Sequence, residues 1–116
     1  MANDVNCIFC KIARKEIPAD ELMRDEHLVA FRDLNPQAPT HVLVIPTEHA
    51  AHLSDFTAKA NADVAARLLT AAADIGTKFG RDGYRVVMNE GDDGGQTVHH
   101  LHLHVLAGRH MNWPPG

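Results

Sequence analysis

Residues 100 to 106 read His-Leu-His-Leu-His-Val-Leu, and this alternation of polar and apolar positions constrains the fold more than any other feature of the chain. Side chains of a β-strand point to opposite faces in turn. A strand over Val98 to Leu106 is therefore predicted, with Leu101, Leu103 and Val105 in a core and His100, His102 and His104 sharing the other face. At a rise of ~3.3 Å per residue, neighbours in that row are roughly 6 to 7 Å apart at the backbone, so their rings can converge on one tetrahedral group about the size of a phosphate. The chain holds nine histidines, more than its one Trp, one Tyr and four Phe together, and four of them stand at 99, 100, 102 and 104.

Histidine suits such a row chemically. Neutral imidazole is a nucleophile near pH 7, and imidazolium donates hydrogen bonds to anionic oxygens. A solvent-facing polar edge explains one histidine in an amphipathic strand better than it explains three at strict alternation. Zinc ligation is the other reading of the same pattern.

The remaining elements follow from periodicity and breakers. Cys7 to Glu16 suits a short amphipathic helix ending before Pro18. Glu21 to Arg24 and His27 to Arg32 read as a hairpin, with Leu28, Ala30 and Leu22 inward. Two prolines in Asn35 to Pro39 demand a loop, and Val42-Leu43-Val44-Ile45 within His41 to Pro46 suits a buried strand. Val64, Leu68, Ala72, Ile75 and Phe79 form the stripe of one long helix, capped by Ser54 or Thr57 and weakened by Gly76. Tyr84 to Met88 is a strand, and Glu90 to Gln96, with three glycines and two aspartates, is a loop able to bring backbone amides to a ligand. This order predicts one α+β domain over residues 1–116: a mostly antiparallel five-stranded sheet, one long helix and a short N-terminal helix, helices on one face, and a tail from 108 to 116.

Composition narrows the function. A net charge of −4 with scattered Lys and Arg argues against a nucleic acid polymer as partner, though a single phosphate needs no basic surface. No stretch approaches the ~20 apolar residues of a membrane span, and Met1 to Asn6 lacks the pattern of a signal peptide, so a cytoplasmic protein without membrane contact is expected. The only cysteines, Cys7 and Cys10, are spaced to grip one tetrahedral metal with two ligands still to be found. Free thiols remain the plain alternative, and no β-α-β pattern surrounds the pair to favour a thioredoxin-type dithiol.

The run from His100 to Leu106 resembles the histidine triad motif, and the resemblance extends through Asp33 to His41, Val44-Ile45-Pro46, Asn89-Glu90-Gly91, Gly94-Gly95-Gln96 and Trp113-Pro114-Pro115-Gly116. Within that superfamily the chain is most similar to the Hint branch of purine nucleoside phosphoramidate hydrolases, more than to the Fhit or galactose-1-phosphate uridylyltransferase branches. The resemblance implies a homodimer with the sheet continued across the interface and each tail reaching the partner's nucleotide pocket. It implies His102 as nucleophile on the α-phosphorus, its other nitrogen held by the carbonyl of His100. It further implies His104 on the phosphate oxygens and leaving group, and His41 orienting or protonating the site. Asn89, Gly95, Gln96, Thr97 and the amide of Val98 would hold phosphate and leaving group, Asp33 the ribose hydroxyls, Leu34 the base, and Trp113 the partner's ligand. The substrate implied is a nucleoside 5′-phosphoramidate or acyl-nucleotide. The alternatives are a dinucleoside polyphosphate hydrolase and a non-catalytic nucleotide-binding or zinc-stabilised interaction module. Thr97 departs from the family's common serine but keeps the hydroxyl, and His99 replaces a commoner aromatic or apolar residue and is given no catalytic part.

Similarity to bacterial members also implies that Cys7 and Cys10 hold a structural zinc ion (Zn2+) together with His49 and His100. No cofactor is then needed for the chemistry itself.

Overall fold

The computed structural model describes residues 6–59 and 61–116. The reading of Met1 to Asn6 as no signal peptide falls largely on residues 1–5, outside the described residues, as does Ala60 in the long helical segment.

Five strands form one antiparallel sheet: β1 Glu21–Arg24, β2 Leu28–Arg32, β3 Thr40–Pro46, β4 Tyr84–Val87 and β5 Leu103–Ala107, in the order β1-β2-β3-β5-β4. The helices are α1 Ile8–Ala13, α2 Leu53–Ala58 and α3 Ala62–Phe79. This is the α+β class and strand number that the sequence predicts.

Both faces of the sheet are covered, so apolar residues of its inner strands point both ways. Leu28 and Ala30 of β2, Val42 and Val44 of β3, and Leu103 and Val105 of β5 meet Leu68, Ala71, Ala72 and Ile75 of α3. The alternate residues Val29, Phe31, Leu43 and Ile45 meet Phe9 and Ile12 of α1. The expectation of helices on one face is therefore corrected: α1 covers the face opposite α3. It is also shorter than Cys7 to Glu16, because Lys15 takes a left-handed backbone with φ of 62° and cannot continue a helix.

The single long helix is corrected to two. His52, not Ser54 or Thr57, caps α2 by accepting from the Asp55 N–H at 3.2 Å. The Asn61 side chain reaches back to the Phe56 carbonyl at 3.5 Å, closing α2 before α3 begins. Gly76 has a packing reason: a Cβ there would lie 2.3 Å from the Tyr84 ring.

The histidine strand is also shorter than predicted. Ladder pairing runs over Leu103–Ala107 only, and residues 98–102 are irregular. β3 ends at Pro46, which has no N–H to offer a longer ladder. Its carbonyl instead pairs with the ring of His100 at 2.9 Å, and the Leu101 N–H turns to the Ala50 carbonyl at 2.7 Å.

Candidate active site and metal centre

Alternation along residues 101–105, which runs from the irregular segment into β5, puts His102 and His104 on the α1 side of the sheet while Leu101, Leu103 and Val105 face α3. The His102 and His104 ring centroids are 4.9 Å apart, and the edge of Phe9 lies 5.2 Å from His102. His41 joins them from β3, where its partner Leu106 is two residues from His104, making the two histidines diagonal neighbours across the ladder.

Hydrogen bonds decide which nitrogen of each ring carries a proton. A carbonyl only accepts, so the 2.7 Å bond between Nδ1 of His102 and the His100 carbonyl places a proton on Nδ1 and leaves the lone pair on Nε2. A backbone N–H only donates, so the 3.0 Å bond from Gln37 to Nδ1 of His41 leaves that ring's proton on Nε2. This Nε2–H donates to Nδ1 of His104 at 2.9 Å, and the proton of neutral His104 then stands on its Nε2. Burial keeps both rings neutral near pH 7: it lowers the His41 pKa against the opposing pull of Asp33, and with the neighbouring His102 and His41 it lowers that of His104 to about 4. The site thus pairs one imidazole presenting a lone pair with another presenting an N–H. That combination suits attack on an anionic phosphorus centre.

Asp33 lies beside this chain, with Oδ2 3.5 Å from Nε2 of His41 and Oδ1 accepting from the Asn35 N–H at 2.8 Å. Asp33, His41 and His104 bring three potential ligand atoms within 4.8 Å of one another. They suit a proton chain better than a metal, because the Gln37 N–H keeps the proton on the very nitrogen of His41 that would have to bind.

The Gly-rich loop is built from its own polar groups. The Asn89 amide donates to the Gly94 carbonyl at 2.6 Å, and Gly95, at φ of +80°, makes the turn that glycine accommodates best. The Gln96 side chain faces inward, donating to the carbonyls of Ala51 (2.7 Å) and Val98 (3.0 Å) and accepting from the Gly91 N–H (3.1 Å). Its own N–H bonds to the Gly91 carbonyl, so Gln96 shapes the loop instead of offering it a free donor. Among the described residues nothing accepts from the N–H of Thr97 or Val98, which leaves two donors at the loop's exit. Leu34 is 99% exposed and Trp113 83% exposed, so neither packs in a core of this chain.

Cys7, Cys10, His49 and His100 converge on the other side of Phe9. Sγ of Cys7 is 3.3 Å from Nδ1 of His100, Sγ of Cys10 is 3.3 Å from Nδ1 of His49, and the two Nδ1 atoms are 3.1 Å apart. Ligands at ~2.0 Å (N) and ~2.3 Å (S) from a tetrahedral zinc would lie roughly 3.3 to 3.8 Å from one another, close to these spacings. Nε2 of His100 donates to the Pro46 carbonyl at 2.9 Å, leaving Nδ1 unprotonated toward the cluster, and burial lowers the His100 pKa to about 4. The four residues fit the ion.

Sequence reasoning missed several groups in this arrangement. Phe9 was hidden inside the cysteine motif as an apolar helix position. Ser54 donates its N–H and hydroxyl to Oε1 of Glu90, at 2.9 and 2.8 Å, fastening the Gly-rich loop to α2. The Gln37 backbone has no signal in residue identity at all.

Such a site, on such a sheet, defines a histidine triad protein. The sequence pattern of the HIT domain matches residues 14–111, and the chain belongs to this family. It is 50% identical over 109 residues to an uncharacterized HIT-like protein of Synechococcus elongatus, covering 94% of this chain and 96% of that one. A 14 kDa zinc-binding protein of Zea mays is 46% identical over 120 residues, covering 98% and 91%. Among solved structures, a HIT family hydrolase from Legionella pneumophila superposes with a TM-score of 0.89 at 45% identity, covering 96% of this chain and all (100%) of that one. A histidine triad protein from Clostridium difficile gives 0.88 at 42% identity, covering 95% and 96%.

Proposed function

We propose that this protein is a Hint-type hydrolase of nucleoside 5′-phosphoramidates or acyl-nucleotides that works through a nucleotidyl-histidine intermediate on Nε2 of His102. The observation that carries this reading is the 2.7 Å bond from Nδ1 of His102 to the His100 carbonyl, which aims an unprotonated Nε2 away from its own backbone. In the first half-reaction Nε2 attacks phosphorus, the bond to the leaving nitrogen breaks, and that nitrogen takes up a proton. Water then attacks the same phosphorus, the Nε2–P bond breaks, and the nucleoside monophosphate departs. Both protons pass through solvent: water supplies the one the amine carries off, and the attacking water returns one, so the cycle balances while His41 and His104 stay neutral. His104 presents its N–H to the phosphate oxygens with His41 behind it, and the N–H groups of Thr97 and Val98 supply further donors. Asp33, Leu34, Asn89, Gly95 and Gln96 form or shape the surroundings of the nucleotide.

Zinc fits the Cys7, Cys10, His49 and His100 cluster as a structural ion. There it would pin α1, and with it Phe9, against the segment that carries His102. The family link to a plant zinc-binding protein supports this. We read the protein as a cytoplasmic homodimer. β4 is an open sheet edge whose unpaired backbone groups suit a second copy, and the concavity of about 550 Å3 beside it, lined by Tyr84, Arg85, Arg109 and Met111, has the size of a few side chains of that copy. No helix among the described residues is long and apolar enough to cross a membrane.

The test is turnover of an adenosine phosphoramidate beside a dinucleoside polyphosphate, with wild type and His102→Ala. We expect a higher kcat/KM for the phosphoramidate and loss of turnover in the variant. Full activity of His102→Ala would overturn the assignment, and preference for the polyphosphate would overturn the substrate class.

A further inference from the structure

The proton chain of the site does not end at His41. The ring is aligned by the Gln37 N–H at 3.0 Å, and the carbonyl of the same residue accepts from Nε of Arg109 at 2.9 Å, 72 positions away in the sequence. Both hydrogen bonds of the Arg109 guanidinium among the described residues go to backbone carbonyls, the second to His110 at 3.1 Å. The tail meets this loop at a second point. Gly108 turns with φ of +96°, and a Cβ there would sit 2.9 Å from Cβ of Pro39. Gln37 lies between Pro36 and Pro39, whose rings restrict their own backbone, so the segment has few ways to shift once Arg109 holds it.

We infer that Arg109 is a positioning residue for the histidine site: by holding the Gln37 carbonyl it fixes that residue's backbone between the two prolines and keeps its N–H on Nδ1 of His41, and so keeps the His104 proton on Nε2, facing the substrate phosphate. The inference rests on the roles proposed above for His102 and His104. Without the Gln37 donor, His41 is free to carry its proton on Nδ1. Its Nε2 then no longer donates to Nδ1 of His104, and the His104 proton has no reason to prefer Nε2. No group of Arg109 touches the substrate in this scheme; it acts through two backbone atoms and one ring.

The experiment uses full-length 15N-labelled protein, long-range imidazole 1H–15N correlations, and steady-state kinetics on an adenosine phosphoramidate. Wild type should show both His41 and His104 protonated at Nε2. Arg109→Met should move one or both toward a mixture of forms and lower kcat by roughly three- to tenfold, the value of one hydrogen bond, with KM little changed. Arg109→Lys, whose amine can reach the same carbonyl, should restore both readouts. Wild-type imidazole spectra in Arg109→Met would overturn the inference, as would a loss of kcat that Lys does not rescue. If wild type failed to turn over the phosphoramidate while the imidazole shifts still followed residue 109, the proposed reaction would fall and the positioning role would stand.

Discussion

Single hydrogen bonds decide what each histidine can do, and burial makes two of them, His41 and His104, costly to protonate. His104 has a pKa lowered to about 4, burial first and the neighbouring His102 and His41 next, while in the unfolded chain it titrates near its ordinary value of 6.5. The unfolded state therefore binds the proton first as pH falls. The stability tied to a neutral His104 is complete above about pH 6.5 and is lost as pH drops toward about 4. His41, also lowered by burial, acts in the same direction. Urea midpoints at pH 7.5 and pH 5 should fall farther for wild type than for His104→Gln; equal falls would contradict the account. His102→Ala belongs to this scale too. It should fold and retain nucleotide while losing turnover, since the other donors of the site remain.

At the scale of elements, Tyr84 of β4 packs its ring into the space left by Gly76 of α3. Gly76→Ala should destabilise by about 1 to 2 kcal/mol although alanine favours helix. In a Tyr84→Ala background the same change should stabilise by up to ~1 kcal/mol, and a chemical-denaturation double-mutant cycle reads the difference. Additive effects would show that ring and glycine do not interact. The zinc proposal also belongs here: metal analysis of protein purified without chelator should find about one zinc per chain. Removing it should lower Tm and speed hydrogen exchange in α1 and residues 98–102 before it abolishes chemistry. Protein free of zinc, with protection unchanged by chelator, would contradict this.

The sheet was legible because its strands carry short-range signals: an apolar run in β2, a β-branched one in β3, alternation in β5, and prolines or glycines in the loops after β2 and on both sides of β4. The break between α2 and α3 was not, since Asn61 reads as an ordinary helix residue until its amide is seen on Phe56. Nor was the face chosen by α1, which is set by contacts of Phe9 and Ile12 with strands far along the chain. The alternating histidines of the site could be named from spacing, and His41 and His49 only from the family resemblance. The inward turn of Gln96 and the Gln37 N–H on His41 could not, because the first depends on where Ala51 lies and the second is a backbone donor that any residue but proline supplies.

At the scale of the whole molecule, the proposed dimer makes each site a product of two chains. Sedimentation at micromolar concentration should give twice the mass of one chain; a monomer throughout would contradict it. If Trp113 acts in trans, mixing His102→Ala with Trp113→Ala protomers should raise activity above that of Trp113→Ala alone, because one site of each mixed dimer regains both groups. No gain on mixing would confine the tail to its own chain.

The central claim is that Nε2 of His102 becomes bonded to phosphorus. Rapid quench of wild type with an adenosine phosphoramidate, followed by mass analysis of the peptide spanning residues 98–107, tests it directly. The account predicts a transient adenylyl adduct on His102 that forms and decays at rates compatible with turnover. Turnover with no adduct, or with the adduct on another residue, would contradict it.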